Sequence, residues 1–232
     1  MCDTCGCGDP RIVAVDVHEK ILAGNDRTAR HNREHFAARG VLAVNLMGSP
    51  GAGKTAVLEA TARALGRQRR VGAIAGDLET ERDADRLRAA GIPAATISTG
   101  SACHLDAEMV HRAIHGFDAQ ELDYLFIENV GNLVCPAIYD LGQAISVVAL
   151  SVTEGEDKPL KYPVMFRKAD LVLLTKVDLL PYLRFDVAAV EDALARAMPR
   201  PQMFRLSAQS GEGLSAWLDW LETRRAAAAE AA

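Results

Sequence analysis

Residues 41–55 read VLAVNLMGSPGAGKT: a run that is apolar except for Asn45, then three glycines within six residues, then Lys54 and Thr55. The apolar run has the texture of a strand buried on both faces, as a parallel sheet requires. Gly48-Ser49-Pro50-Gly51-Ala52-Gly53-Lys54-Thr55 matches G-x-x-x-x-G-K-T, and AVLEATARAL after it, from Ala56, is helical in character. The motif therefore stands in the strand, loop, helix context that gives it meaning. Glycines let successive backbone N–H groups converge on phosphate oxygens, and the helix start adds its positive dipole end. Lys54 is placed to reach the β and γ phosphates, and the Thr55 hydroxyl to ligate Mg²⁺. The stretch from Gly48 to Ala56 predicts a nucleoside-triphosphate site.

Further compact apolar runs occur at RVGAIAGD, PAATIS, DYLFIENV, AISVVALSV, ADLVLLTKVD and MFRLSA. Helical stretches separate most of them, such as DLETERDADRLRAAG and FDVAAVEDALARAM, the second with Asp186 as its N-cap. Strands alternating with helices predict right-handed βαβ crossovers. The fold expected is α/β: a doubly wound, mostly parallel sheet with helices on both faces, a P-loop NTPase, over residues 41–224. In the last helix, Leu214, Trp217, Leu218 and Leu221 recur at i, i+3, i+4 and i+7, a core-facing stripe. Residues 1–12 are expected to be a flexible cysteine tail and residues 13–40 a segment of one or two surface helices. Residues 225–232, alanine-rich with nothing to bury, are expected to be a disordered tail.

A net charge of −5 over 232 residues lacks the basic footprint of a nucleic-acid partner. No apolar run approaches the roughly 18 residues of a membrane span, and no signal peptide precedes the first cysteines, so a soluble cytoplasmic protein is expected. In a reducing cytosol, clustered cysteines point to metal or redox chemistry.

The base is chosen at LVLLTKVDLL. Thr175-Lys176-Val177-Asp178 resembles the N-K-x-D element of G proteins, with Thr175 replacing Asn. Asp178 can accept hydrogen bonds from the N1–H and the exocyclic amine of guanine, a donor pair that adenine lacks. RLSAQSGEG resembles the S-A-K element beside guanine, which places Ser207 and Ala208 there and Gln209 where Lys is usual. Asp77 and Glu128 end strands, at the carboxyl edge where open α/β sheets bind ligands. Asp77 is a candidate to orient the attacking water or to hold Mg²⁺ through water, with Glu128 in the second role. ENVG resembles the D-x-x-G switch, which would set the Gly131 N–H against the γ phosphate. No Gln or Arg stands out as an accelerator within the chain, so slow turnover of GTP to GDP is expected, with Lys54, Asp77 and Glu128 as the catalytic set.

Three of the five cysteines, Cys2, Cys5 and Cys7, fall within the first eight residues. Three thiolates and the terminal amine make a four-coordinate set suited to Zn²⁺, Cu⁺ or square-planar Ni²⁺; thiol exchange through C-x-x-C is the alternative. Cys103-His104 and Cys135 belong to loops expected at the same sheet edge. They are either three ligands, one short of the usual four, or inert buried thiols. His111 and His115, and likewise His18, His31 and His35, read as surface residues.

The conjunction of MCDTCGCG, GSPGAGKT, GDLETERDADR, ACHLDAEMV, IENVGNLVCPA, SVTEGEDKPLKYP and KVDLLPY closely resembles the HypB family, the hydrogenase nickel-incorporation GTPases of the SIMIBI class. The resemblance runs from Met1 to about Arg224. It implies a high-affinity nickel site on Cys2, Cys5 and Cys7, and a weaker nickel or zinc site on Cys103, His104 and Cys135. It also implies a GTP-dependent homodimer with that second site at or near the interface, where Lys158 and Lys161 would contact nucleotide across the dimer. By resemblance the partners are the companion nickel chaperone HypA, a nickel-binding prolyl isomerase and the hydrogenase large subunit. A urease-type nickel GTPase and a nickel or zinc buffer in which nucleotide controls only dimerisation are the rival functions.

Overall fold

The computed structural model describes residues 10–77, 82–100, 102–115 and 122–230, with side chains from residue 22 onward. Cys2, Cys5 and Cys7 lie outside the described residues. Seven strands form one sheet: β1 (Leu42–Gly48), β2 (Val71–Asp77), β3 (Ala94–Ser98), β4 (Tyr124–Glu128), β5 (Ile145–Ser151), β6 (Leu171–Thr175) and β7 (Met203–Leu206). Their order is β3-β2-β4-β1-β5-β6-β7, and every pairing is parallel. The apolar runs explain this. β1, β4, β5 and β6 are buried along their whole length, whereas the edge strands β3 and β7 are only partly covered.

Among the described residues eight α-helices flank the sheet: α1 (Pro10–Ala38), α2 (Lys54–Leu65), α3 (Arg82–Ala89), α4 (Ala107–His115), α5 (Lys158–Lys161), α6 (Pro163–Lys168), α7 (Val187–Ala197) and α8 (Leu214–Glu230). On one face Leu42, Val44 and Leu46 of β1 pack with Leu58 of α2, Leu87 of α3 and Trp217 of α8. On the other, Ala43 joins Phe36 of α1 and Ile114 of α4, while β5 and β6 pack on Phe166 of α6 and Leu194 of α7. Alternate residues of one strand thus feed two cores, as the period of two demands. Asp186 caps α7, accepting from the Ala188 and Ala189 N–H groups.

The N-terminal segment takes the single-helix alternative with an earlier start, and the C-terminal one departs from the sequence expectation. The helical segment is one helix that starts at Pro10 and continues through Gly24. A mid-helix glycine costs about 1 kcal/mol, and tertiary ties offset it. Asn25 Nδ2 donates to Asp140 O (2.8 Å), and the buried Asn32 donates to Ala107 O (2.8 Å) and Leu141 O (3.1 Å). Nor does α8 end at Arg224. It continues to Glu230 because alanine is the best helix former. Arg225 lies 3.7 Å from Asp123 Oδ1, and Ala228 and Ala229 line a groove with Phe36 and Val41.

Candidate functional site

In an all-parallel sheet every carboxyl end lies on one edge, and strand order reverses at β1, between β4 and β5. The loop after β1 therefore opens into the crevice where such folds bind ligands. Gly48 has φ 148°, and a Cβ there would sit 2.4 Å from Ala149 O, so no side chain fits against β5. Lys54, only 7% exposed, curls back over the loop and donates to Ser49 O (3.2 Å) and Gly48 O (3.4 Å). Burial lowers its pKa, and the charge of Glu128 opposes that shift most strongly.

Thr55 Oγ1 donates to Glu128 Oε1 at 2.7 Å. Glu128 is 4% exposed, and its second oxygen is buried without a hydrogen-bond partner among the described residues. Burial pushes its pKa up to about 7, against the Thr55 bond and the Lys54 charge. Lys54, Thr55, Asp77, Glu128, Gly131 and Lys176 line one cleft of about 430 Å³. A hydroxyl beside a buried carboxylate with an unused oxygen is a hard-oxygen donor set that fits Mg²⁺.

A carboxylate whose pKa is raised by folding destabilises the empty protein. The penalty is absent below the unfolded value near 4.5, grows from there to about 7, and stays full above that. Glu128→Gln removes it. Without nucleotide or Mg²⁺, the variant's Tm should match the wild type near pH 4.5 and exceed it by several degrees at pH 8, read by thermal unfolding across pH. A constant difference at all pH values would refute this assignment.

Beside the cleft a second hollow of about 390 Å³ is lined by Gly53, Lys176, Asp178, Ala208 and Gln209, among others. Asp178 accepts from Ser207 Oγ (2.5 Å). Ser207 Oγ in turn accepts from the Gln209 and Ser210 N–H groups at 3.2 and 3.0 Å. Thr175, in place of the expected Asn, donates to Ala52 O at 2.6 Å, so a short hydroxyl ties β6 to the phosphate loop. Lys176 has φ 60°, in the left-handed region that few non-glycine residues occupy. That strained turn lets its Nζ donate to Gly51 O at 2.7 Å.

The two sulfurs of Cys103 and Cys135 are 2.9 Å apart. Cys103 Sγ lies 3.9 Å from His104 Nδ1, and ligand atoms of the three residues all fall within 4.8 Å of one another. The cluster is half-buried. Burial lowers the pKa of His104, which stacks on Tyr139 with ring centroids 3.9 Å apart. The hydrogen bond with Cys103 raises the pKa of Cys135, with burial second. Chain segments 32 residues apart thus converge on one soft-ligand pocket.

One stretch, Glu128 to Cys135, spans both sites. Asn129 Oδ1 accepts from Leu105 N (3.2 Å) and Val130 N (3.0 Å), and its Nδ2 donates to Asn45 Oδ1 of β1 (3.2 Å). Gly131 lies so close to Pro50 that a Cβ would come within 2.8 Å of it. Asn132 bridges Gly48 through its backbone, and its side chain accepts from Val134 N (2.7 Å) and Cys135 N (3.4 Å). The sequence did not single out Asn129, Asn132 or Glu154. Glu154 accepts from Ser49 Oγ (2.6 Å) and pairs with Lys158 at 3.4 Å. Their one local signal is position, just beyond a strand's carboxyl end. Arg86, which no sequence motif marks, lines the same cleft and pairs with Glu59 at 2.9 Å.

The model of the family described as "CobW/HypB/UreG, nucleotide-binding domain" matches residues 42–205. The chain is 53% identical over 220 residues to the hydrogenase maturation factor HypB of Azotobacter vinelandii, covering 95% of this chain and 72% of that one. Against HypB of Escherichia coli K12 it is 49% identical over 222 residues, covering 96% and 76%. The crystal structure of HypB from Helicobacter pylori in complex with nickel superposes with a TM-score of 0.83 at 40% identity, covering 87% of this chain and 95% of that one. With the phosphate loop, the parallel sheet and the Cys-His cluster in place, the chain belongs to the CobW/HypB/UreG nucleotide-binding family and, within it, to the HypB hydrogenase maturation factors.

Proposed function

We propose that this chain is a slow GTPase that supplies Ni²⁺ to a maturing nickel-iron hydrogenase in the cytoplasm, and that loss of the γ phosphate loosens its hold on the metal. The observation that carries the proposal is the continuity of residues 128–135, from a carboxylate at Thr55 to a thiol at Cys103. The backbone loop from Gly48 to Ala56 and Lys54 hold the phosphates. Thr55 and Glu128, with Asp77 on the same cleft, would hold Mg²⁺, which neutralises charge on the β and γ oxygens. Contact with Thr55 favours Glu128 over Asp77 on the metal side, leaving Asp77 to orient water. Thr175, Lys176, Asp178, Ser207 and Ala208 form the guanine side. Gly131, pressed against Pro50, responds when phosphate fills the loop, and Asn132 passes the movement to Cys135 while Asn129 passes it to Leu105, beside His104. Nucleotide can drive release only through differential metal affinity between its two states.

Cys103, His104 and Cys135 take Ni²⁺ or Zn²⁺ as cargo, with a fourth ligand from water or a second subunit; Cys2, Cys5 and Cys7 form the tighter nickel site. Cys103→Ala or Cys135→Ala should weaken Ni²⁺ at this site by about a hundredfold, since losing even a partner behind a ligand costs 10- to 100-fold. GTP affinity should change less than about threefold, by calorimetric titration. Unaltered nickel binding in both variants would defeat the proposal.

A GTP-dependent homodimer joins at this face. Val134 and Ile138, flanking Cys135, and Leu160 and Val164, on the adjoining α5 and α6, are all more than 40% exposed, and the Cys135–Ala137 turn packs on α6. Ile138→Asp should raise the dimer Kd with a GTP analogue at least about tenfold, by sedimentation, while nucleotide still binds. Lys158 and Lys161 pair with Glu154 and Asp157 in the single chain, so contact with the partner's nucleotide requires them to exchange partners. The companion chaperone HypA, the nickel-binding prolyl isomerase and the hydrogenase large subunit remain the partners proposed.

A further inference from the structure

Four of the chain's six histidines converge where α1 packs on α4. His31 and His35 are four apart on α1, and His111 and His115 four apart on α4, so each pair shares a helix face. His111 and His115 bring their Nε2 atoms to 3.3 Å, with ring centroids 4.7 Å apart. His31 lies 5.1 Å from His111, and His35 6.3 Å from His115. Two imidazole nitrogens at zinc-like bond lengths and a tetrahedral angle stand about 3.3 Å apart, and their ring centroids about 5 Å apart. The His111–His115 pair already has that bite; His31 stands at a similar centroid spacing from His111 and must turn to bring a nitrogen within reach of both.

The tautomer of His111 is set from behind. Asn32 is fully buried, and its Nδ2 donates to the carbonyls of Ala107 and Leu141. That fixes the amide orientation and makes Oδ1 the acceptor for His111 Nδ1–H, at 3.1 Å. The lone pair of His111 is therefore on Nε2, aimed at His115. A ligand imidazole held by a hydrogen bond on its other nitrogen is the arrangement that metal sites use. His35 differs, because its Nδ1 accepts from Arg39 at 2.8 Å. Burial lowers the pKa of His111 and of His35.

We propose that His111 and His115, through Nε2, and His31 form a further site for a divalent cation of the imidazole-binding class, Ni²⁺ or Zn²⁺, with water completing its shell. His35 borders the site and stays paired with Arg39. Cation entry displaces the His115 Nε2 proton, which exchanges through water to Nδ1. The bound ion bridges α1 to α4, joining the N-terminal helix to the nucleotide-binding domain independently of the thiols.

The test uses the full chain with Cys2, Cys5, Cys7, Cys103 and Cys135 replaced by serine, dialysed against micromolar Ni²⁺ or Zn²⁺. This protein should retain about one ion of either kind per chain, and adding His111→Gln with His115→Gln should weaken binding at least about a hundredfold. Circular dichroism and GTP binding verify folding. Should the serine variant not fold, the wild type supplies the same answer. There the two glutamine substitutions should lower total Ni²⁺ stoichiometry by one while sulfur-to-nickel charge-transfer absorption is unchanged. Retention of neither ion by a folded serine variant, or binding indifferent to the histidines, would overturn the proposal.

Discussion

Lys54→Ala should reduce single-turnover GTP hydrolysis by about 10³-fold or more. Removing one neutral donor from a preorganised oxyanion site already costs 10²- to 10³-fold, and Lys54 is a buried cation lining the cleft. Its ammonium is held by two carbonyls, of Gly48 and Ser49, beside the cleft proposed to take the phosphates. The substitution also removes the cation that opposes the raised pKa of Glu128. Both effects act on the same centre, and hydrolysis within tenfold of wild type would show that Lys54 does not hold the transferred phosphate.

Asp178→Asn should lower GTP affinity about a hundredfold and raise affinity for xanthosine triphosphate, measured by competition against a fluorescent nucleotide. A charged acceptor contributes about 1.5 to 3 kcal/mol per hydrogen bond, and guanine offers two. Asparagine replaces half of that acceptor with a donor, which suits the xanthine carbonyl where guanine has an amine. Ser207 Oγ donates to Asp178 Oδ1, so the carboxylate arrives already oriented. Unchanged preference among GTP, ATP and the xanthine nucleotide would mean that selectivity is set elsewhere in the hollow lined by Ala208 and Gln209.

The features visible in the sequence are those with a local cause. Seven apolar runs became seven strands, the glycine-rich loop sat between β1 and α2, and Asp186 capped α7, because each depends on neighbours within a few residues. Features set by distant partners were hidden. Thr175 reads in the sequence only as a replacement for the usual Asn, while in the fold its hydroxyl donates to Ala52 O, 123 residues away. Asn32, spelled as one polar residue in a polar helix, is buried against Ala107 and Leu141, and that contact carries α1 through Gly24. The same geometry gathers His31 and His111 from opposite ends of 80 residues; spacing along either helix alone suggested only a wet surface. Asn129 and Asn132 were invisible for the same reason, since their partners lie on β1, the phosphate loop and the Leu105 loop. The alanine tail misled in the other direction: composition without an apolar stripe suggested fraying, yet propensity and the Arg225 contact with Asp123 extend α8 to Glu230.

The central claim is that the nucleotide cleft and the thiol cluster are coupled through residues 128–135. Titrating Ni²⁺ into the chain lacking residues 1–8 and carrying His111→Gln with His115→Gln, once with GDP and once with a non-hydrolysable GTP analogue, isolates the Cys103, His104 and Cys135 cluster from the tail and from the histidine site. Coupling of the usual size, about 1 to 3 kcal/mol, predicts nickel affinity 5- to 150-fold higher with the GTP analogue, and a difference that disappears in Asn132→Ala. Equal affinities in the two nucleotide states would contradict the account.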